Sequence, residues 1–365
     1  MTPPRLTIRS LRAVGVDVPM ARPLGTSGGT LRTAPLLLID LETEEGVTGR
    51  SYLFCYLPAV APAIARTLEE VLRVVKGDRA APAENGAKLA RHFFLIGVQG
   101  IVRMALAGFD VACWDALAVA AGKPLASFLG GAPKPIRAYN SNGLGVMLSP
   151  AAAADEAEQL LAGGFRGVKL RLGRPVLEDD LAVTRAVRRR LREDVALMVD
   201  FNQALEADEA VRRGRALDSE GVYWIEEPVR HDDYAGCARI AREIATPVQI
   251  GENFSGVPAM EAALAARACD YVMPDLERIG GVSGWRRASE RAAAAGIEMS
   301  SHLFPEVSAH LLAVTPTCHW LEYADWAAPV LAEPLRIVDG NALVPARPGN
   351  GLAWNEEAVT RYRML

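Results

Sequence analysis

No CxxC pair occurs in the sequence. Its five cysteines, Cys55, Cys113, Cys237, Cys269 and Cys318, are odd in number and widely spaced. That excludes a disulfide framework and a thiolate metal site, and it fits buried thiols in a reducing, cytoplasmic compartment. No apolar run approaches the ~20 residues that span a bilayer. Residues 1–15 alternate polar and apolar as a first strand would, without the unbroken apolar core of a signal peptide. A basic stripe is also missing: 40 Lys and Arg stand against 44 Asp and Glu, a formal net charge of −4. Neither nucleic acid nor a membrane is therefore expected as partner.

What is present is a 365-residue chain, 50% hydrophobic, long enough for one large domain with a smaller one beside it. Residues 5–56 carry strand-like runs, with Glu44–Gly46 placed as a hairpin turn. From about Pro58 to Leu129 the apolar spacing turns helical. The first 130 residues thus form an α+β domain of three strands plus helices. After "GGAPKPI" a new rhythm begins, in which short apolar runs such as "GVKLRLG", "VALMVDFNQ" and "GVYWIEEPV" alternate with helical stretches. Strands alternating with helices imply parallel βα units. The expected fold is α/β, a modified (β/α)-barrel of TIM-like (β/α)7β type over 131–330, and residues 331–365 return to the N-terminal domain.

The charged residues fall just after the apolar runs. Asp200, Glu226 and Glu252 are spaced 26 and 26 apart, one βα unit each, and Asp275 and His302 follow after 23 and 27. The strand C-termini of a βα barrel open on one face, where active sites lie, so the three carboxylates converge. Such a cluster needs a cation, and oxygen-only ligands with room for water and substrate suit Mg²⁺. Lys169 and Arg171 lie two apart on the preceding strand and share a face, which turns them toward the carboxylates and an anionic substrate. Asp275 beside His302 is a pairing that orients an imidazole. Glu227 is expected to support Glu226. His231 and Asp232 are read as loop residues, and His92, His310 and His319 as structural or surface residues.

The stretches "VKLRLG", "MVDFNQ", "WIEEP", "GEN", "MPDLERIGGVSGW" and "MSSHLFPEVSAHLLAVTPTCHWLE" resemble the mandelate racemase subgroup of the enolase superfamily over nearly the whole chain. The resemblance implies removal of the α-proton of a small-molecule carboxylate bound to Mg²⁺, through an enediolate, in a homo-oligomer. It implies Asp200, Glu226 and Glu252 as metal ligands and Lys169 as the cation beside the substrate carboxylate. Glu322 would be a protonated acid bonded to that carboxylate, with Ser141 adding a hydrogen bond. His302, oriented by Asp275, would be one acid/base, with Arg171 in the place of the other. Asn202 would face the substrate hydroxyl.

Two departures stand out. The subgroup's second lysine is replaced by Arg171, and an arginine side chain, with a pKa above ~12, stays protonated. Racemisation needs a base on each face. A racemase or epimerase of a 2-hydroxy carboxylate remains the first expectation. The alternative is an acid-sugar dehydratase with His302 as single acid/base, and a non-catalytic carboxylate-binding protein is a remote third. The second departure is the segment 22–33, "RPLGTSGGTLRT", expected as a mobile specificity loop. It offers Leu24 and Leu31 to a substrate but also Thr26, Ser27, Gly28 and Arg32.

Overall fold

The computed structural model describes residues 4–364. Its N-terminal part is an antiparallel sheet of β1 (Ile8–Thr26), β2 (Gly29–Thr43) and β3 (Thr48–Phe54). Four helices follow, α1 (Val60–Val75), α2 (Pro82–His92), α3 (Gly100–Ala120) and α4 (Leu125–Phe128), of which α1 and α3 pack on the sheet. On α1 the buried positions Ala61, Ile64, Leu68, Val71 and Val75 recur every three or four residues, the stripe a helix needs to lie on a sheet. Gly49 lets α3 approach closely, since a Cβ there would lie 2.0 Å from the Ala112 carbonyl oxygen.

Residues 22–33 differ from the expected loop. They are the outer arm of the β1–β2 hairpin, with Leu24 opposite Leu31, Gly25 opposite Thr30 and Thr26 opposite Gly29. Gly29 adopts φ +141°, which permits a tight turn at a sequence that composition alone marks as coil. An irregularity between Pro19 and Leu24 re-aims the arm.

The second part is the barrel. Its strands are β4 (Pro135–Asn140), β5 (Gly167–Arg171), β6 (Ala196–Asp200), β7 (Val222–Glu226), β8 (Val248–Ile250), β9 (Tyr271–Val272), β10 (Glu298–Met299) and β11 (Leu321–Tyr323). Between them run α5 (Pro150–Leu160), α6 (Leu177–Arg190), α7 (Ala207–Leu217), α8 (Tyr234–Glu243), α9 (Val257–Ala265), the pair α10 (Leu276–Ile279) and α11 (Gly281–Ala295), and α12 (Pro305–Ala313). Adjacent strands pair in parallel from β4 to β10, and β11 pairs β4. A Met299–Cys318 bridge brings the last strands together. The expected modified (β/α)7β barrel is what forms. The helices carry suitable ends: α6 begins with Glu178, Asp179 and Asp180 and finishes with Arg188, Arg189 and Arg190, each sign favourable at its end of the helix dipole.

Tyr139, Met198, Trp224 and Trp320 fill the barrel interior, all fully buried. The chain after the barrel adds the hairpin β12 (Ile337–Val338) and β13 (Asn341–Leu343) to the outer side of β4. It then crosses to the N-terminal domain, where α13 (Glu356–Tyr362) follows and the Trp354 indole donates to Asp40 at 2.7 Å. Asp115 of α3 ties the two together, accepting the backbone N–H of Arg50 at 2.7 Å and of Asn350 at 2.6 Å.

Candidate metal centre and active site

Asp200 closes β6, Glu226 closes β7, and Glu252 lies two residues past β8. One carboxylate oxygen from each lies within 4.8 Å of the others. The three are buried or nearly so, a costly arrangement for like charges. Burial, with Asp200, Glu322 and Glu252 nearby, pushes the Glu226 carboxyl up to about 8 even against Lys169. The Lys169 ammonium lies 2.6 Å from Glu226 Oε1, 2.7 Å from Glu322 Oε1 and 3.3 Å from Asp200 Oδ2. One ammonium among four carboxylates leaves the cluster short of positive charge. Asn202 brings a further oxygen: its Oδ1 is buried without a hydrogen-bond partner, while its backbone N–H and side-chain Nδ2 donate to Asp200 at 2.7 and 3.0 Å. An all-oxygen donor set around a charge deficit fits a hard divalent cation held by Asp200, Glu226 and Glu252.

Across this centre stands His302. Its Nδ1 is 2.7 Å from Asp275 Oδ2, and its Nε2 is 3.2 Å from Glu252 Oε2 and 3.9 Å from Glu322 Oε2. Burial works against the charged imidazole, but the carboxylates of Glu252 and Glu322 and the bond from Asp275 outweigh it and raise His302 well above the usual range. Asp275 has a second task, because its Oδ1 accepts the backbone N–H groups of Glu277 and Arg278 and so caps α10.

Glu322 departs from its expected protonated state. Burial pushes its carboxyl up, but Lys169 and His302 more than reverse that, and the group sits well below the ordinary range. Every near partner is a donor: Lys169, the Ser141 hydroxyl at 2.7 Å and the Leu303 backbone N–H at 2.9 Å. Ser141 is thereby committed to Glu322 and accepts from Arg171 Nη2 at 2.9 Å. Arg171 is locked to the backbone, its Nη1 donating to the carbonyls of Ser141 at 2.7 Å and Gly143 at 2.8 Å.

A cavity of about 260 Å³ opens above these groups, lined on the barrel side by Lys169, Arg171, Asp200, Asn202, Glu252, His302 and Glu322. The N-terminal domain closes it with Leu24, Thr26, Leu31, Phe54 and Tyr56. Ser27 instead turns away and donates to the backbone carbonyl of Asn202 at 3.0 Å. Sequence reasoning missed Tyr56, Gln203, Arg278 and Trp326, which also line the cavity. Arg278 carried a signal, standing three residues after Asp275 at a strand end. Tyr56 carried none. Glu227 does not brace Glu226: both its oxygens accept from Asn253 Nδ2 at 2.9 Å, and its own φ of 38° marks the turn that separates the two neighbours. His231 and Asp232 follow β7 in an exposed stretch. His92 pairs with Glu70 on the surface, and His310 and His319 are buried elsewhere.

A two-part fold with carboxylates at consecutive barrel strand ends, beneath a capping domain, defines the enolase superfamily. Residues 8–130 match the model described as "Mandelate racemase / muconate lactonizing enzyme, N-terminal domain", and residues 152–358 match "Enolase C-terminal domain-like". The chain belongs to the mandelate racemase/muconate lactonizing enzyme family. A magnesium-bound enolase from the alpha proteobacterium BAL199 superposes with a TM-score of 0.96 at 46% identity, covering 98% of this chain and 100% of the other. An enolase from Bradyrhizobium, holding magnesium and mandelic acid, gives 0.94 at 41% identity over 100% of both chains. The L-talarate/galactarate dehydratase of Salmonella typhimurium is 33% identical over 270 residues, 72% of this chain and 66% of that relative. Other relatives are named as cycloisomerases and an epimerase, so the chain is similar to isomerases and lyases alike.

Proposed function

We propose that the chain removes the α-proton of a 2-hydroxy carboxylate with His302 as its one acid/base, and that the reaction is dehydration of an acid bearing a β-hydroxyl. The observation that carries this is the placement of Arg171. Its guanidinium is spent on the Ser141 and Gly143 carbonyls, and guanidinium chemistry offers no base at neutral pH. Asp200, Glu226 and Glu252 would hold the magnesium found in the solved relatives. When bound, the ion supplies positive charge beside the substrate carboxylate and acidifies the neighbouring C–H. Lys169 adds a second positive charge on that side.

Once the Glu252 charge that now favours the imidazolium is taken up by a bound cation, His302 would release its Nε2 proton while Asp275 keeps the other on Nδ1. Nε2 is then the atom that would take the α-proton. The same nitrogen then returns that proton to the departing β-hydroxyl, and water leaves from the face of abstraction. Leu24 and Leu31 screen the site from bulk water, and the Asn202 Oδ1 receives the substrate hydroxyl.

Racemisation is the second reading, favoured by the apolar wall of Leu24, Leu31, Phe54 and Trp326 and by the mandelic acid in the Bradyrhizobium relative. It requires a proton carrier opposite His302. Proton NMR in D₂O with Mg²⁺ separates the two. Exchange confined to one enantiomer of mandelate, together with 2-keto-3-deoxy products from acid sugars, is the expected result. Wash-out from both enantiomers with loss of optical rotation would sink the single-base scheme. His302→Asn should lower α-proton exchange by about 10²–10⁴-fold while Mg²⁺ binding persists. Four of the five cysteines are buried free thiols, in keeping with a cytoplasmic setting. Phe94, Leu95 and Ile96 are exposed between α2 and α3, in keeping with a homo-oligomer, which light scattering would measure.

A further inference from the structure

Arg278 holds a positive charge in the cavity that the proposed chemistry does not use. Its Nη1 donates to Asn253 Oδ1 at 2.5 Å and to the Glu252 backbone carbonyl at 3.1 Å. Both acceptors are neutral. The guanidinium carbon lies 4.7 Å from the centroid of the Tyr56 ring, which fixes its plane without neutralising it. Nε and Nη2 make no hydrogen bond to the described residues, and the side chain lines the cavity.

The nearby carboxylates are engaged elsewhere, except for Glu277 Oε1, which is buried without a partner on a carboxyl that burial raises well above the usual range. Glu252 Oε1 is 3.9 Å from Nη1, and its charge belongs to the metal centre. Asp275 is taken by His302 and the α10 amides. Glu227 accepts from Asn253, and Glu277 Oε2 accepts the Phe54 backbone N–H at 3.1 Å. The Tyr56 hydroxyl beside Arg278 is buried and also lacks a partner. Two idle donors, one of them cationic, therefore border the same end of the cavity, and a planar fork of N–H groups matches a carboxylate.

The geometry points to Arg278 as a specificity-determining residue that binds a second carboxylate, so that the substrate is a 2-hydroxy diacid. This rests on the reading that the first carboxylate and its α-hydroxyl sit at the metal centre. A charge-assisted bond made only by the diacid predicts a preference of about 10–100-fold over a monoacid of equal length.

The test is calorimetric titration of the Mg²⁺-loaded protein with 2-hydroxyglutarate and with 2-hydroxyvalerate, which differ only in the terminal carboxylate. Wild type should favour the diacid by that factor, Arg278→Gln should bring the ratio near one, and Arg278→Lys should retain part of it. Equal affinities in wild type, or a preference that survives in Arg278→Gln, would overturn the assignment. α-Proton exchange in D₂O, followed in parallel, keeps the two readings apart. Exchange without diacid preference removes the role of Arg278 and leaves the chemistry. An Arg278-dependent preference without exchange from any acid does the reverse.

Discussion

The mouth and the interior of the barrel are built from the same eight strands in opposite materials. Tyr139, Met198, Trp224 and Trp320 occupy the interior with no exposure at all, and the Arg137 guanidinium stacks 3.4 Å from the Trp320 ring centroid. At the mouth the strands deliver Lys169, Asp200, Glu226 and Glu322, packed as closely but charged. The contact between the layers is direct, since the Trp224 indole donates to Glu226 Oε2 at 3.2 Å. The interior draws its stability from apolar burial, which needs no ligand. The mouth carries like charges whose repulsion a bound ion relieves. One scaffold thus supports the cost of the other.

The sharpest way to break this comparison is Trp320→Ala, which should cost about 3–5 kcal/mol in denaturant unfolding with or without Mg²⁺. An ion-dependent loss would mean that the two layers are not energetically separate. Next comes the ion itself. Mg²⁺ at 100 times its Kd should stabilise wild type by about 2.7 kcal/mol, whereas Glu226→Gln should show little of that gain in a thermal scan. Arg171→Lys should cost about 1–3 kcal/mol, because the Ser141 or Gly143 carbonyl loses its donor, and should not open exchange from the second enantiomer.

The smallest effect concerns acid. Burial, with Arg137 assisting, lowers the His319 imidazole to about 4, so the unfolded chain takes up this proton first. The stability His319 contributes is complete above about pH 6.5 and is lost as pH falls toward 4. His319→Gln should flatten part of that slope in unfolding measured across this window. An unchanged slope would mean that other groups, such as the equally depressed His310, dominate.

The barrel was legible because its signals are local. Apolar runs ending in Asp200, Glu226 and Glu252 repeat at the length of one βα unit, and strand ends in such a barrel must converge. The arm over residues 22–33 was not legible, because its strand state comes from Leu24 pairing with Leu31 and its Gly and Ser content signals coil. The state of Glu322 was hidden for another reason. The resemblance implied a protonated acid there, and the 2.7 Å contact with Lys169, 153 residues away in the chain, reverses that together with His302. Arg278 and Tyr56 likewise meet only in three dimensions.

Asp275 has a consequence that reaches beyond orientation. Its two oxygens join one four-residue turn to the base: the turn's first amides on one side, His302 on the other. The same turn sends Glu277 to the Phe54 amide and Arg278 to the Tyr56 ring. The roof, the wall and the proton carrier therefore share a hinge pin. A fluctuation that unwinds those four residues would blur all three together, so the chain behaves as a reagent assembled whole or not at all.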